Sequence, residues 1–263
     1  MPLTEFQETL VRLLAANRTP DSYLAGGAAL HLEPNSKRYS NDLDFFQDSE
    51  ARVASAFAQD RASLEAARYD VEVVMTQPGH IRALVSQDDR ATKIEWAHDS
   101  AWRFLPVVES KTAGYVLHPI DLALNKVLAL AGRDEARDFI DVMHVHGTTL
   151  RLGALCWAAA GKDPGFTPAG LLALLRRRGK YHPEDFARLR LQQQPDLPLL
   201  KTSWLAALEH AEQFIGGRPP DEVGCLYYSC SRQKFVSDFT DGDPDVRPHY
   251  GRPGGVWPQV CDA

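Results

Sequence analysis

Residues 70–98 alternate between apolar and polar side chains, with the two-residue period of a strand that has one buried face. Three strands are predicted there, over 70–76, 81–87 and 92–98. The first two are separated by Gln-Pro-Gly-His, a plausible turn sequence because Pro and Gly are adjacent in it. This part of the chain is therefore predicted to form a sheet.

The segment before these strands predicts two longer helices and one further strand. Thr4 and Gln7 have the spacing of a capping box at the start of an amphipathic helix, and Ser49 is placed to cap an alanine-rich helix over 49–69. Between the two helices, Gly26-Gly27 leads into a short helical turn. Residues 42–46, Asp-Leu-Asp-Phe-Phe, then predict a strand.

After residue 118 the apolar period becomes helical. Pro119 is placed in a first helical turn, where proline is tolerated, and Gly132 and Gly147 are stop signals for two successive helices. Further helices are predicted over 151–161, 167–178, 183–191 and 201–215. A small hairpin is predicted over 225–236. The Pro- and Gly-rich segment 238–263 is expected to be extended across another surface or partly disordered.

The order of these elements predicts an α+β fold. A small mixed sheet with flanking helices is expected over residues 1–118, a helical domain over 119–220, and a short hairpin with an irregular tail over 221–263. The chain has 263 residues, of which 44% are hydrophobic and 24% charged, as in globular proteins. Wholesale disorder is thereby excluded.

Net charge and cysteine content limit the partners and the cellular compartment that the protein is expected to have. The net charge of −6 argues against a protein that coats nucleic acid indiscriminately, but it leaves room for a local basic cluster at Arg176–Arg178 and Lys180 that could contact RNA. The start of the chain has no signal-peptide pattern, and no apolar run is long enough to span a bilayer. The four cysteines form no Cys-x-x-Cys pair. We therefore expect a reduced, cytoplasmic protein without membrane association.

Asp42 and Asp44 are the most informative residues of the sequence. Residues i and i+2 of a strand point to the same face, so both carboxylates project together while Leu43 faces a core. Two neighbouring carboxylates stay ionised only when a cation neutralises them, and Mg²⁺ prefers oxygen ligands. Glu95, which shares a strand face with Lys93, is the candidate for a third carboxylate. The alternative is an exposed edge strand, with Lys37 or Arg38 near the acids.

The Gly26-Gly27 turn and residues 38–46 carry a resemblance to a known family. Gly-Gly-x-Ala-Leu followed by Arg38-x-Ser40-x-Asp42-x-Asp44 resembles the signature of the DNA polymerase β-like nucleotidyltransferases, and in particular their toxin-type AbiEii-like branch. Lys93-Ile94-Glu95 is similar to the second element of that branch. Its later helical elements resemble the segment that contains Lys126, Arg133, Asp138 and Asp141.

This resemblance implies a function and a set of site residues. Asp42, Asp44 and Glu95 would hold two Mg²⁺ ions and act in catalysis. The remaining motif residues would bind a nucleoside triphosphate: Gly26, Gly27, Arg38, Ser40, Lys93, Lys126, Arg133, Asp138 and Asp141. A nucleoside monophosphate would pass from the triphosphate to an acceptor hydroxyl, in a toxin that an antitoxin protein could partner. The acceptor would be an RNA such as a tRNA end, a protein hydroxyl or an aminoglycoside.

The sequence departs from the family pattern at two positions. Ala28 stands where the wider superfamily often has Ser, and the third carboxylate is Glu instead of Asp. The alternative function is a catalytically silent binding module with the same fold, and its main support is Ala28 together with the long tail. Two residues have alternatives of their own, because Lys126 could be a solvated helix lysine and Asp141 could pair with Arg137.

Overall fold

The structure is a computed structural model that describes residues 3–32 and 38–259. Lys37, one of the two cations that the exposed-strand alternative invoked, lies outside these residues. The chain divides into two compact units. The first contains the chain up to His118 together with the short segments Arg190–Gln192 and Pro253–Gly255, and the second contains the rest.

In its described residues up to His118, the first unit holds three α-helices and eight strands. The helices are α1 (Glu5–Leu14), α2 (Gly26–Leu30) and α3 (Glu50–Ala66), and a 3₁₀ turn follows α1 at Ala15–Asn17. The strands are β1 (Ser22–Ala25), β2 (Asp42–Gln47), β3 (Asp70–Gln77), β4 (His80–Gln87), β5 (Arg90–His98), β6 (Trp102–Arg103), β7 (Val108–Ser110) and β8 (Gly114–Val116). The short strands β1, β6, β7 and β8 were not predicted, since a few residues show no readable period.

Seven of these strands form one mixed sheet in the order β3-β4-β5-β2-β1-β8-β7. The pairs β2–β5 and β1–β8 are parallel, and the other neighbours are antiparallel. The mixed sheet with flanking helices confirms the predicted fold class. It also makes β2 and β5, the two strands with the candidate carboxylates, direct neighbours.

One face of the sheet is the core of the first unit. Leu43, Phe45 and Trp96 are fully buried on this face, as the alternation in the sequence requires. The indole Nε1 of Trp96 donates to Asp60 Oδ2 of α3 at 2.7 Å, and Asp60 also forms a fully buried ion pair with Arg18. Because the core occupies one face, the polar residues of β2 and β5 project from the other.

The segment Arg190–Gln192 adds main-chain hydrogen bonds to the residues that precede β2. Leu191 forms an isolated antiparallel bridge with Arg38, and the Tyr39 N–H donates to the Arg190 carbonyl at 2.8 Å. The Arg190 guanidinium lies 5.4 Å from the centre of the Tyr39 ring. This return of the chain holds the approach to Asp42 in place.

The second unit is mainly helical. Its helices are α4 (Pro119–Arg133), α5 (Ala136–Thr148), α6 (Leu152–Lys162), α7 (Pro168–Leu175), α8 (Pro183–Ala187) and α9 (Leu197–Gly216), with a 3₁₀ turn at Pro220–Glu222. Helix α9 begins four residues earlier than predicted, because the Asp196 side chain caps it and Pro198 fits its first turn. None of the helices in the described part of the chain is long and apolar enough to cross a membrane.

The predicted hairpin of the second unit forms, and the tail extends it. Strands β9 (Leu226–Ser229) and β10 (Lys234–Phe235) pair antiparallel, and β11 (Val246–His249) pairs with the other edge of β9. A further short strand, β12, covers Arg252–Pro253. The tail up to Gln259 is therefore more regular than its composition predicted, and residues 260–263 lie outside the described part of the chain.

The cysteines differ in state. Cys156 and Cys225 are buried free thiols, and burial raises the pKa of Cys225 to about 12. Cys230, in contrast, is disulfide-bonded. The expectation of fully reduced cysteines is thus wrong for Cys230.

Replacement of Phe239 by Ala tests whether the tail stabilises the second unit. The Phe239 ring centre lies 4.7 Å from that of Tyr227 and 6.2 Å from that of Phe214. We expect Phe239→Ala to lower the free energy of unfolding by about 2–3 kcal/mol, measured by urea denaturation, because a partly buried aromatic side chain is lost. Arg247→Ala, an exposed change on β11, is the control and should have little effect. Equal stability of both variants would contradict a structural role for the tail.

Candidate active site

The parallel pairing of β2 with β5 brings the predicted carboxylates together. Asp42 is in register with Lys93 and Asp44 with Glu95, so that all four side chains lie on the face opposite the core. One oxygen from each of Asp42, Asp44 and Glu95 lies within 4.8 Å of the other two. The sequence-predicted trio is therefore a real cluster in the first unit.

Lys93 lies between the carboxylates. Its Nζ is 3.1 Å from Asp42 Oδ2 and 3.0 Å from Glu95 Oε1. Partial burial of Lys93 opposes its charge, but hydrogen bonds to Glu95 and Asp42 outweigh the burial and raise the pKa of Lys93. For Glu95, desolvation would raise the pKa, yet Lys93 and Arg82 together lower it. Both groups are thus stabilised in their charged forms.

Two residues of β4 also contact Glu95, and sequence reasoning missed both. Arg82 Nε donates to Glu95 Oε1 at 3.0 Å, and His80 Nε2 lies 3.1 Å from Glu95 Oε2. They lie beside Glu95 because β4 pairs antiparallel with β5. Which residues of β4 face Glu95 depends on the length of the turn between β4 and β5. This length could not be read from the sequence.

Gly26 is required by the close approach of the chain to Asp44. Its φ is +63°, a left-handed conformation that L side chains rarely adopt. A Cβ at this position would lie 1.8 Å from Asp44 Oδ2. A Cβ on Gly27 would lie 2.8 Å from Arg38 Nη2 and 3.0 Å from Ser40 Oγ. The glycine pair thus lies directly against the predicted site residues.

A buried glutamine on α1 connects the two strands that carry the carboxylates. Gln7 Nε2 donates to the Ser40 carbonyl at 3.2 Å and to Thr92 Oγ1 at 3.1 Å. Ser40 Oγ in turn donates to Asp42 Oδ1 at 3.3 Å. Gln7 was predicted only as a partner in the capping box, which it also forms with Thr4. The start of α1 is therefore tied to both sides of the acidic cluster.

The second unit contains the other predicted residues as a separate ion-pair cluster. Lys126 Nζ lies 2.8 Å from Asp141 Oδ2 and 3.7 Å from Asp138 Oδ1. Arg133 bonds Asp138 through two nitrogens, at 2.6 and 2.9 Å. Lys126 is only 5% exposed, so the alternative of a solvated helix lysine is wrong. Arg137 pairs with Glu135 at 2.6 Å, and Asp141 pairs with Lys126.

The basic cluster after α7 is partly neutralised within the second unit. Arg176 pairs with Glu212 at 2.9 Å, and Arg178 pairs with Asp134 at 3.0 Å. Arg177 and Lys180 are exposed. The charge that this cluster can offer to an anionic partner is therefore smaller than the sequence indicated.

The acidic cluster of the first unit fits a divalent cation of the Mg²⁺ type. Its donors are all carboxylate oxygens, the ligands that Mg²⁺ prefers. Two oxygens bound to one Mg²⁺ lie about 3–4 Å apart, since each bond is about 2.1 Å long. The observed oxygens all lie within 4.8 Å of one another. The ammonium of Lys93 between two of the carboxylates shows that the cluster attracts positive charge.

Comparison with known proteins gives the class and the family to which this sheet with its acidic cluster belongs. The family model described as the nucleotidyl transferase AbiEii toxin of type IV toxin–antitoxin systems matches residues 8–217. The chain therefore belongs to the AbiEii nucleotidyltransferase toxin family. No curated protein matches the sequence significantly.

Solved structures share the fold at low sequence identity. The nucleotidyltransferase toxin MenT4 from Mycobacterium tuberculosis is 19% identical with a TM-score of 0.52, and the match covers 82% of this chain and 83% of MenT4. JHP933 from Helicobacter pylori is 16% identical with a TM-score of 0.50, and the match covers 81% of this chain and 95% of JHP933. These similarities support the fold of the chain.

Replacement of Gly26 by Ala tests the contact between the glycine turn and the acidic cluster. The added Cβ would displace Asp44, so we expect Gly26→Ala to weaken Mn²⁺ binding at least about tenfold and to lower the melting temperature. Gly132→Ala is the matched control, because a Cβ on Gly132 meets no atom within 4 Å and a helix favours Ala. Unchanged Mn²⁺ binding in Gly26→Ala, measured by calorimetry, would contradict the close approach.

Replacement of Lys126 by Ala tests the ion-pair cluster of the second unit. It would leave Asp138 and Asp141, both fully buried, without the ammonium that pairs with them. We expect a loss of about 3 kcal/mol or more in the free energy of unfolding, measured by urea denaturation. Lys201→Ala removes an exposed lysine from α9 and should be nearly neutral. A similar small effect in both variants would mean that Lys126 is not buried with its partners.

Proposed function

We propose that the protein is a Mg²⁺-dependent nucleotidyltransferase that transfers a nucleoside monophosphate from a nucleoside triphosphate to an acceptor hydroxyl of RNA. The observation that carries this proposal is the cluster of Asp42, Asp44 and Glu95, gathered on one face of the sheet by the pairing of β2 with β5. Membership of the AbiEii family supports the reaction class and suggests an antitoxin protein as a partner.

The three carboxylates would hold two Mg²⁺ ions. Bound there, the metal would neutralise charge on the attacking and leaving oxygens and so lower the barrier to phosphoryl transfer. Asp42 and Asp44 are fixed for this role by β2, and Ser40 Oγ orients Asp42 through its hydrogen bond. Glu95 is fixed from β5 and is held by its cationic neighbours.

The triphosphate is proposed to bind beside the glycine turn. Gly26 and Gly27 have no side chains, which allows a close approach of the main chain to phosphate oxygens. Arg38 lies against Gly27, and Lys93 can change partners from the carboxylates to a phosphate. These contacts would place the α-phosphorus next to the acidic cluster.

The ion-pair cluster of the second unit is proposed to contribute to nucleotide binding, in keeping with the resemblance to the family. The Arg133 side chain is half exposed while two of its nitrogens bond Asp138, so the guanidinium is oriented and still accessible to a phosphate. Lys126 and Asp141 would fix the positions of the side chains beneath Arg133, because Lys126 is nearly buried. Their contribution would be a fixed positive edge for the nucleotide.

Replacement of either aspartate by Asn tests the metal site. Because a neutral amide oxygen replaces an anionic ligand, Asp42→Asn and Asp44→Asn should each reduce transfer by about 100-fold or more. The assay follows each labelled nucleoside triphosphate with Mg²⁺ and total cell RNA, and Mn²⁺ binding is measured separately by calorimetry. Asp70→Asn, an exposed change at the start of β3 in the same sheet, is the control and should retain activity.

Two results would reject parts of this proposal. Normal transfer in Asp42→Asn or Asp44→Asn would reject the metal site. No transfer by the wild-type protein to RNA, protein or aminoglycoside acceptors would favour a catalytically silent binding module. Label found on protein or an aminoglycoside, but not on RNA, would keep the reaction class and change the acceptor.

A further inference from the structure

Arg82 is a charged residue at the acidic cluster that holds Glu95 through one nitrogen, and the proposed reaction assigns no role to its other two nitrogens. It lies on β4, opposite Glu95 in the antiparallel register, and its Nε donates to Glu95 Oε1 at 3.0 Å. The side chain is 35% exposed. Among residues 3–32 and 38–259, no group hydrogen-bonds to its terminal nitrogens Nη1 and Nη2. Arg82 is therefore fixed at one nitrogen and open at the other two.

This arrangement suits a phosphate. A guanidinium offers parallel N–H donors that match two oxygens of a phosphate, and such charge-assisted bonds are stronger than neutral ones. The bond from Nε to Glu95 restricts rotation of the side chain, so less conformational entropy is lost when a phosphate binds. Glu95 is itself held by Lys93 and His80, which makes the anchor firm.

The order of the strands in the sheet places Arg82 on the β4 side of the acidic cluster. Strand β5 lies between β4 and β2, so Arg82 is beyond Glu95 as seen from Asp42, Asp44 and the glycine turn. In phosphoryl transfer the attacking and leaving oxygens are roughly in line on opposite sides of the phosphorus. With the triphosphate beside the glycine turn, the acceptor approaches from the β4 side. A phosphate at Arg82 then belongs to the acceptor.

We infer that Arg82 binds the phosphodiester next to the reacting hydroxyl of the RNA acceptor. The inference rests on the proposed function and names a residue that selects the acceptor. Leu84, two residues along β4, is 37% exposed beside Lys93 and offers apolar surface to a ribose or base. A protein hydroxyl or an aminoglycoside provides no such phosphodiester.

The first test uses substitutions at Arg82. Arg82→Gln retains an N–H donor for Glu95 but removes the charged pair of donors, and Arg82→Lys retains the charge without the paired geometry. Arg61→Gln is the matched control, because Arg61 also bonds a glutamate through Nε but lies on α3, which covers the core face. The probe is a short single-stranded oligoribonucleotide with a free 3′ hydroxyl, followed by fluorescence anisotropy over a range of salt concentrations.

We expect Arg82→Gln to weaken oligoribonucleotide binding about tenfold and to reduce the slope of log affinity against log salt by about one. Arg82→Lys should lose less, and Arg61→Gln should match the wild type. Nucleoside triphosphate binding, measured by calorimetry, should match the wild type in Arg61→Gln. In the Arg82 variants it should fall less than oligoribonucleotide binding does, since Arg82 is assigned to the acceptor side.

The second test changes the ligand. A neutral methylphosphonate in place of the last phosphodiester should weaken binding to the wild type about as much as Arg82→Gln does. It should cause little further loss in Arg82→Gln, because the contact is already absent. The inference would be overturned if the losses of affinity caused by Arg82→Gln and by the methylphosphonate were additive. Wild-type affinity in Arg82→Gln, or the absence of any oligoribonucleotide binding, would overturn it as well.

These outcomes separate the inference from the proposed function. If the wild type labels RNA but Arg82→Gln binds the oligoribonucleotide as tightly as the wild type, the reaction stands and the role of Arg82 is rejected. If the coupled loss is found in a protein that binds no nucleoside triphosphate, the phosphate contact stands and the transfer reaction is rejected.

Discussion

Repulsion between three gathered carboxylates is the constraint on which the structure of the first unit depends. The parallel register of β2 and β5 forces Asp42, Asp44 and Glu95 onto one face, and negative charges this close are unfavourable without compensation. The compensation is supplied locally, by Lys93 between two of the carboxylates. The positions of the carboxylates are also fixed by neighbouring groups, namely Gln7, Ser40 and the glycine turn.

The ion-pair clusters of the two units differ in how exposed their lysines are. In the first unit Lys93 is over a third exposed and can change partners when a ligand arrives. In the second unit Lys126 is nearly buried with Asp138 and Asp141, where breaking one contact leaves an uncompensated charge. The ion pairs of the first cluster can therefore rearrange at lower cost than those of the second.

The sequence predicted the strand face on which a side chain lies better than it predicted the residues that the side chain meets on the neighbouring strand. Alternation assigned Asp42 and Asp44 to one face and Leu43 to the other, because a side-chain period of two leaves no third choice. It did not predict that Arg82 meets Glu95, since that contact depends on the register across a turn. The burial of Lys126 was missed because its partners come from the next helix, and β11 was missed because four residues that include Pro248 show no period.

The segment Arg190–Gln192 has a consequence for the order in which the protein is made. It bonds Arg38 and Tyr39, which lead into Asp42, but it follows most of the helices of the second unit in the chain. Gly254, later still, donates to the Ala101 carbonyl of the first unit at 2.8 Å. A ribosome that has released only the N-terminal half has therefore produced all three carboxylates without the contacts that complete their surroundings. The hydrogen bonds to the residues that lead into Asp42 can therefore form only after most of the helices of the second unit have been synthesised.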